Sequence, residues 1–208
     1  MSVPEALKNH FCSEISQLAH DAWLCGLFAA KNGNISQKMP DPYDEFLLIT
    51  AQGTCKGHLK NADFCLFNMK EGTAGNSSPI SSETQVHLAI YDTCQCQAVV
   101  HCHPPKLLAW EIIAKGRSLL DLPLYEAKMW KDAITRVKAC QPGTRELAEE
   151  VKKASQDLIR KNPQRASSGG VWMDEHGLCT WGTTLQEAFA VCEEMEHLAH
   201  IALMTAKV

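Results

Sequence analysis

Apolar residues recur at three- and four-residue spacing through Leu7, Phe11, Ile15, Leu18 and Ala22, which puts them on one face of a predicted N-terminal helix. Lys31-Asn32-Gly33-Asn34 marks its end, because Gly and Asn accept the left-handed conformation that closes helices. Phe46-Leu47-Leu48-Ile49-Thr50 is short and continuously apolar, as a buried strand is. Gly53 and Gly57 punctuate a turn, and Glu71 to Pro79 reads as a polar surface loop. A serine-capped helix is predicted from Ser82 to Tyr91. A buried strand follows from Gln97 to Cys102 and is stopped by Pro104-Pro105. Residues 106–115 and 144–160 have helical period, the second placing Leu147, Val151, Ala154 and Leu158 on one face. Ser167-Ser168-Gly169-Gly170 predicts a turn into Val171-Trp172-Met173, and Leu178 to Trp181 predicts another strand. The final helix is expected to open on a capping box of Thr183 and Gln186, with Leu185, Phe189, Cys192, Met195, Leu198 and Ala202 as its apolar stripe. Helices and strands intermix without repeat or linker, so the class is α/β and residues 1–208 are expected to form one domain.

Composition narrows the functional classes. With 208 residues, 45% of them hydrophobic, the chain can bury one sizeable core. A net charge of −4 without a basic patch argues against nucleic acid as a partner. No apolar run approaches the ~20 residues that span a bilayer, so no membrane association is expected. The opening MSVPEALKNHFCSEI carries charges where a signal peptide needs an apolar stretch, and a cytoplasmic protein is expected. The ten cysteines include no Cys-x-x-Cys pair and read as reduced residues of such a protein. Cys94-x-Cys96 lacks the partner pair that a metal site of that type uses.

Ala98-Val99-Val100-His101-Cys102-His103-Pro104-Pro105 carries the strongest chemical signal. His101 and His103 lie two apart on a strand and share a face, while Cys102 turns to the core. Paired imidazoles on one face suit Zn²⁺, although two satisfied strand histidines would show the same pattern. Glu175-His176-Gly177 offers a third ligand from a tight turn, and three histidines would leave a coordination position open for catalysis. The alternative for His176 is an exposed turn residue. Glu194, His197 and His200 on the last helix read as a solvated face, because carboxylate-bridged metal sites need matching motifs elsewhere. Glu83 follows Ser81-Ser82 into the first turn of a helix, where it is either a cap or an acid beside an anion site built from free N–H groups and hydroxyls. Asn32-Gly33-Asn34-Ile35-Ser36 and Gln52-Gly53 are polar turns with free backbone donors, and Glu126 is a further candidate acid or base.

Several of these segments, in order, resemble one family. Gly33-Asn34-Ile35-Ser36, Leu48-Ile49-Thr50 through Gly53, Ser81-Ser82-Glu83 with His87, Val99-Val100-His101-Cys102-His103, Gly143-Thr144-Arg145-Glu146-Leu147, and Glu175-His176-Gly177-Leu178 with Trp181-Gly182 are similar to the class II aldolase/adducin family. The resemblance implies a three-layer αβα sandwich around a mostly antiparallel mixed sheet, and a homotetramer with interfacial active sites. It implies Zn²⁺ on His101, His103 and His176, a substrate phosphate on Asn34, Gly53, Ser81 and Ser82, and Glu83 as the acid/base. The reaction implied first is retro-aldol cleavage of a phosphorylated ketose to dihydroxyacetone phosphate and an aldehyde. Lys56-Gly57, Tyr125-Glu126 and Trp181-Gly182 are similar instead to the family's methylthioribulose-phosphate dehydratases, which makes dehydration with Glu126 as base the alternative. Glu83 in place of Asp argues against the epimerases, and Gln52 replaces the usual Ser or Thr before Gly53. A non-catalytic, adducin-like binding module is the second alternative.

Overall fold

The computed structural model describes residues 2–75, 78–114 and 116–206. Its strands are β1 (Asn34–Lys38), β2 (Phe46–Thr50), β3 (Phe64–Asn68), β4 (Thr73–Ala74), β5 (Ala98–Cys102), β6 (Ile134–Val137), β7 (Gly169–Met173) and β8 (Gly177–Gly182). They form one sheet in the order β4-β3-β2-β1-β5-β8-β7-β6. Only β6 and β7 pair in parallel; the other neighbours are antiparallel. The helices are α1 (Glu5–Leu24), α2 (Thr84–Thr93), α3 (Pro105–Ile113), α4 (Tyr125–Trp130), α5 (Arg145–Lys161) and α6 (Leu185–Thr205). The architecture is the expected αβα sandwich in a single α/β domain.

Period-2 alternation in β5 explains the two cores. Ala98, Val100 and Cys102 join α1, α3 and α6 on one face, with Ile35, Leu48 and Leu178. Val99 turns to the other face, where α2 and α5 cover Leu47, Val171, Cys179 and Trp181. His101 continues the Val99 side, toward the N-terminus of α2. Among the described residues no helix is long and apolar enough to cross a membrane. Cys12, Cys94, Cys96, Cys102, Cys179 and Cys192 are buried free thiols that pack as small hydrophobes. Burial pushes the thiols of Cys12 and Cys94 up to about 11.

Several expectations need correction. Asn32 to Ser36 is a turn only at its start. Asn34–Lys38 is β1, a central strand whose polar residues conceal it because Asn34 and Ser36 are buried with polar partners. Gly169 and Gly170 lie inside β7 rather than in a turn. The first helix stops at Leu24, well short of Lys31. The last helix is capped one residue later than expected: Thr184 Oγ1 accepts from Glu187 N at 3.1 Å, and the Glu187 carboxylate accepts from Thr183 N at 2.8 Å. The strand does end before Pro104-Pro105, and Pro105 itself opens α3, one residue earlier than expected, since its missing N–H is no loss in a first turn. The Glu71 to Pro79 loop contains edge strand β4; its residues 76–77, like Lys115 of the predicted helix 106–115, lie outside the described residues.

Candidate active site

The register of β5 on β8 brings the three histidines together. Cys102 pairs with Leu178 and His101 with Cys179, so the turn between β7 and β8 lies beside the end of β5. Glu175 makes that turn with φ 60°, and His176 N donates to Met173 O at 3.1 Å. A Cβ on Gly177 would stand 2.5 Å from Cys102 O and 3.1 Å from the His103 ring, so no side chain fits there. Gly33, with φ +72°, likewise lets the chain entering β1 pass against His101 O, 2.4 Å from where its Cβ would be. One possible ligand atom from each of His101, His103 and His176 lies within 4.8 Å of the others.

The polar contacts suit a cation. His101 Nδ1 donates to Leu178 O at 3.1 Å, which leaves its Nε2 with a lone pair. That lone pair faces His103 Nε2 at 2.9 Å and Glu83 Oε2 at 3.2 Å. Burial lowers His101 to about 3, so it is neutral. His103 is also lowered, by burial and then by His176. His103 Nε2 can donate to that lone pair, but the lone pair and the Glu83 carboxylate repel unless a proton or a positive ion lies between them. His176 Nε2 is 3.1 Å from Glu83 Oε1, while its buried Nδ1 has no hydrogen-bond partner. This donor set fits a metal ion that prefers imidazole nitrogen.

Glu83 immediately precedes α2 and does not cap it. Its own N–H donates to Ser81 Oγ at 3.3 Å, and Asn34 Nδ2 donates to its Oε2 at 2.8 Å. Burial pushes its carboxyl up, but the His176 ring and the Asn34 amide lying against it outweigh this and hold it below the usual range. Glu83 is therefore an ionised carboxylate at neutral pH.

A cavity of about 410 Å³ opens over this cluster and is lined by Asn34, Gly53, Ser81, Ser82, Glu83, His103 and His176, among others. His101 stands behind this lining, 1% exposed. The structure thus gathers the predicted metal, phosphate and Glu83 positions in one place. It does not bring Glu126 there: Glu126 is exposed on α4, against the opposite face of the sheet. Glu196 lies outside the cavity but supports it, accepting from Lys106 N and Leu107 N at 3.1 and 2.9 Å and so capping α3 just beyond His103. His197 and His200 are exposed, as a solvated face requires.

Two residues given no role from the sequence matter here. Lys56 lines the cavity yet is 1% exposed, with Nζ donating to Lys31 O at 3.1 Å and Thr54 O at 2.7 Å. Among the described residues no carboxylate pairs with it. His87 is fully buried behind Asn34. Its spacing from Glu83, one helical turn, was the available signal.

Fold and site together define an α/β protein with a three-histidine centre beside an ionised carboxylate. The profile described as "Class II Aldolase and Adducin N-terminal domain" matches residues 13–203, and the chain belongs to that family. It is 31% identical over 170 residues to an L-fuculose phosphate aldolase of Methanococcus vannielii, covering 81% of this chain and 82% of that protein. It is 26% identical over 201 residues to a methylthioribulose-1-phosphate dehydratase of Bacillus pumilus, covering 92% and 91%. The crystal structure of a sugar-phosphate aldolase from Thermotoga maritima superposes with a TM-score of 0.79 at 23% identity, covering 96% and 98%, a likeness of fold.

Proposed function

We propose that the chain is a metal-dependent lyase that cleaves a small phosphorylated ketose to dihydroxyacetone phosphate and an aldehyde. The observation that carries this reading is the ionised Glu83 held against His101, His103 and His176 on the wall of a cavity rich in anion donors. His101, His103 and His176 would hold Zn²⁺, which when bound supplies Lewis acidity for the negative charge that develops on the substrate oxygens. Glu83 takes up the proton released from the alcohol as the C3–C4 bond breaks, and returns it to C3 of the three-carbon fragment. Ser81, Ser82 and Gly53 hold the phosphate and so fix the reacting carbons. Asn34 contributes less to the phosphate than its position suggests, since its amide already serves Glu83 and His87.

Dehydration is the second reading, supported by relatives named as methylthioribulose-1-phosphate dehydratases that match 92% or more of this chain. In it Glu126 is the base and, exposed on α4, serves the cavity of a neighbouring subunit rather than its own. Tyr125 and Met129, 82% and 67% exposed beside it, suit burial in such a homotetramer. We place the enzyme in the cytoplasm, where its buried thiols stay reduced. A screen of phosphorylated ketoses against zinc-loaded protein tests these readings. A three-carbon phosphate plus an aldehyde supports cleavage, and a diketo phosphate with intact skeleton supports water loss. Zinc-loaded protein that yields neither product, or purified protein that takes up no metal, favours an adducin-like binding module.

Among the described residues Lys56 and Lys31 are the cations of the cavity lining, and Lys56 supports an anionic substrate. Burial lowers its ammonium to about 8, so it is charged below that pH and loses charge as pH rises through it. Affinity for inorganic phosphate is therefore expected to fall above about pH 8, by up to ~10-fold per unit. Lys56→Met should weaken phosphate binding and flatten that dependence, whereas Ser81→Ala with Ser82→Ala should weaken binding and keep the slope. Calorimetric titration reads both. Unchanged binding by Lys56→Met removes Lys56 from the phosphate site.

A further inference from the structure

Behind Glu83 runs a file of buried polar side chains that the chemistry above does not use. Asn34 and Ser36 come from β1, and His87 and Tyr91 from successive turns of α2. Ser36 and His87 are 0% exposed, Asn34 6% and Tyr91 8%. Asn34 also stands directly across from His101 in the β1–β5 pairing, so it ties the carboxylate to the strand that carries His101 and leads into His103.

From Ser36 onward the donors in this file point one way. Asn34 must turn its Nδ2 to Glu83, since its carbonyl oxygen would repel a carboxylate 2.8 Å away. Its Oδ1 is then an acceptor and takes the proton of His87 Nε2. A neutral imidazole with Nε2–H has a bare Nδ1, and Ser36 Oγ donates to it at 2.6 Å. Tyr91 OH donates to Ser36 O at 3.0 Å and lies 3.0 Å from Ser36 Oγ, which closes the far end of the file. Every side chain has its partner, and from Ser36 onward each donor leads toward the Glu83 carboxylate. A core histidine that merely fills space needs one hydrogen bond and no particular tautomer.

We propose that His87 is a positioning residue for the reaction: through Asn34 it fixes the orientation of the Glu83 carboxylate, and Ser36 with Tyr91 fixes the tautomer in which it does so. This rests on the reading of Glu83 as the proton-transfer group. Orientation matters because a proton-transfer carboxylate misplaced by a fraction of an ångström loses rate while substrate binding is unaffected.

The test has an arm that needs no substrate. In the zinc-loaded enzyme labelled with ¹⁵N-histidine, His87, identified by the signals missing from His87→Gln, is expected as the neutral Nε2–H tautomer at pH 7. A Nδ1–H tautomer or an imidazolium there overturns the directional file. The kinetic arm uses whichever phosphorylated ketose the screen identifies. His87→Leu is expected to lower kcat about 10–100-fold with KM and zinc content unchanged. His87→Gln, whose amide can donate from the same place, is expected to recover most of that loss. The double variant His87→Leu with Asn34→Ala should be no slower than Asn34→Ala alone, since His87 acts through Asn34. Additive losses, or a His87→Leu enzyme with unaltered kcat, overturn the proposal. If His87→Leu does not fold, the glutamine variant and the tautomer still decide. If no ketose phosphate is turned over, the functional reading fails while the tautomer result stands on its own.

Discussion

A His103→Ala protein is expected to purify folded, without bound zinc and without activity. His103 sits past the end of β5 and is only partly buried, and among the described residues its one hydrogen bond is to His101. Removing its ring leaves both cores intact. His101 would be a less clean choice, because its ring is buried and donates to Leu178 O. Two remaining imidazoles are too few to hold the ion, since catalytic zinc uses three protein ligands. Elemental analysis beside circular dichroism and a melting curve reads the outcome. Stoichiometric zinc in a folded His103→Ala protein would refute the ligand set, and with it the Lewis-acid chemistry proposed.

Glu83→Gln is expected to slow turnover by ~10²–10⁴-fold while zinc stays bound, because the amide keeps the shape of the carboxylate but accepts no proton. Asn34 can still approach the new side chain, so the loss should lie in kcat. The same change at Glu126, exposed on α4, should do little if the reaction is aldol cleavage and should be the more damaging of the two if it is dehydration. Zinc content and melting temperature measured alongside separate a chemical defect from a folding one. If neither glutamine variant slows any reaction of the protein, the carboxylate mechanism is wrong.

The parts of this molecule that were legible in its sequence are those with a period. In α6, Leu185, Phe189, Cys192, Met195, Leu198 and Ala202 recur with the helix and are all buried. Ala98 to Cys102 alternates between two apolar cores and could be read as a strand with His101 and His103 on one side. β1 escaped because two of its three buried positions are Asn34 and Ser36, which are tolerated only through partners on α2 that no local pattern reveals. β6, with half-buried Ile134 and Thr135, is too short and too mixed to declare itself. Among the site residues, His176 was found from the glycine that follows it, a turn signal. Lys56 and His87 were not assigned roles, since a single lysine carries no spacing and the one-turn spacing of His87 from Glu83 is common to any helix. Their importance comes from burial, which only the assembled fold determines.

The division of the histidines between β5 and the β7–β8 turn also makes metal uptake a check on assembly. An unfolded chain presents at most His101 and His103 as neighbours, with His176 far along the sequence. An ion that needs all three binds the native state and hardly binds the unfolded one, adding ~2.7 kcal/mol when its free concentration is a hundred times its dissociation constant. A one-residue slip of β5 would turn Cys102 toward Glu83 and send both histidines into the apolar layer under α6, where they could not meet His176. Under this arrangement the metal content of a preparation counts the molecules whose strands have paired in register, and substoichiometric loading in excess zinc marks misassembled chains.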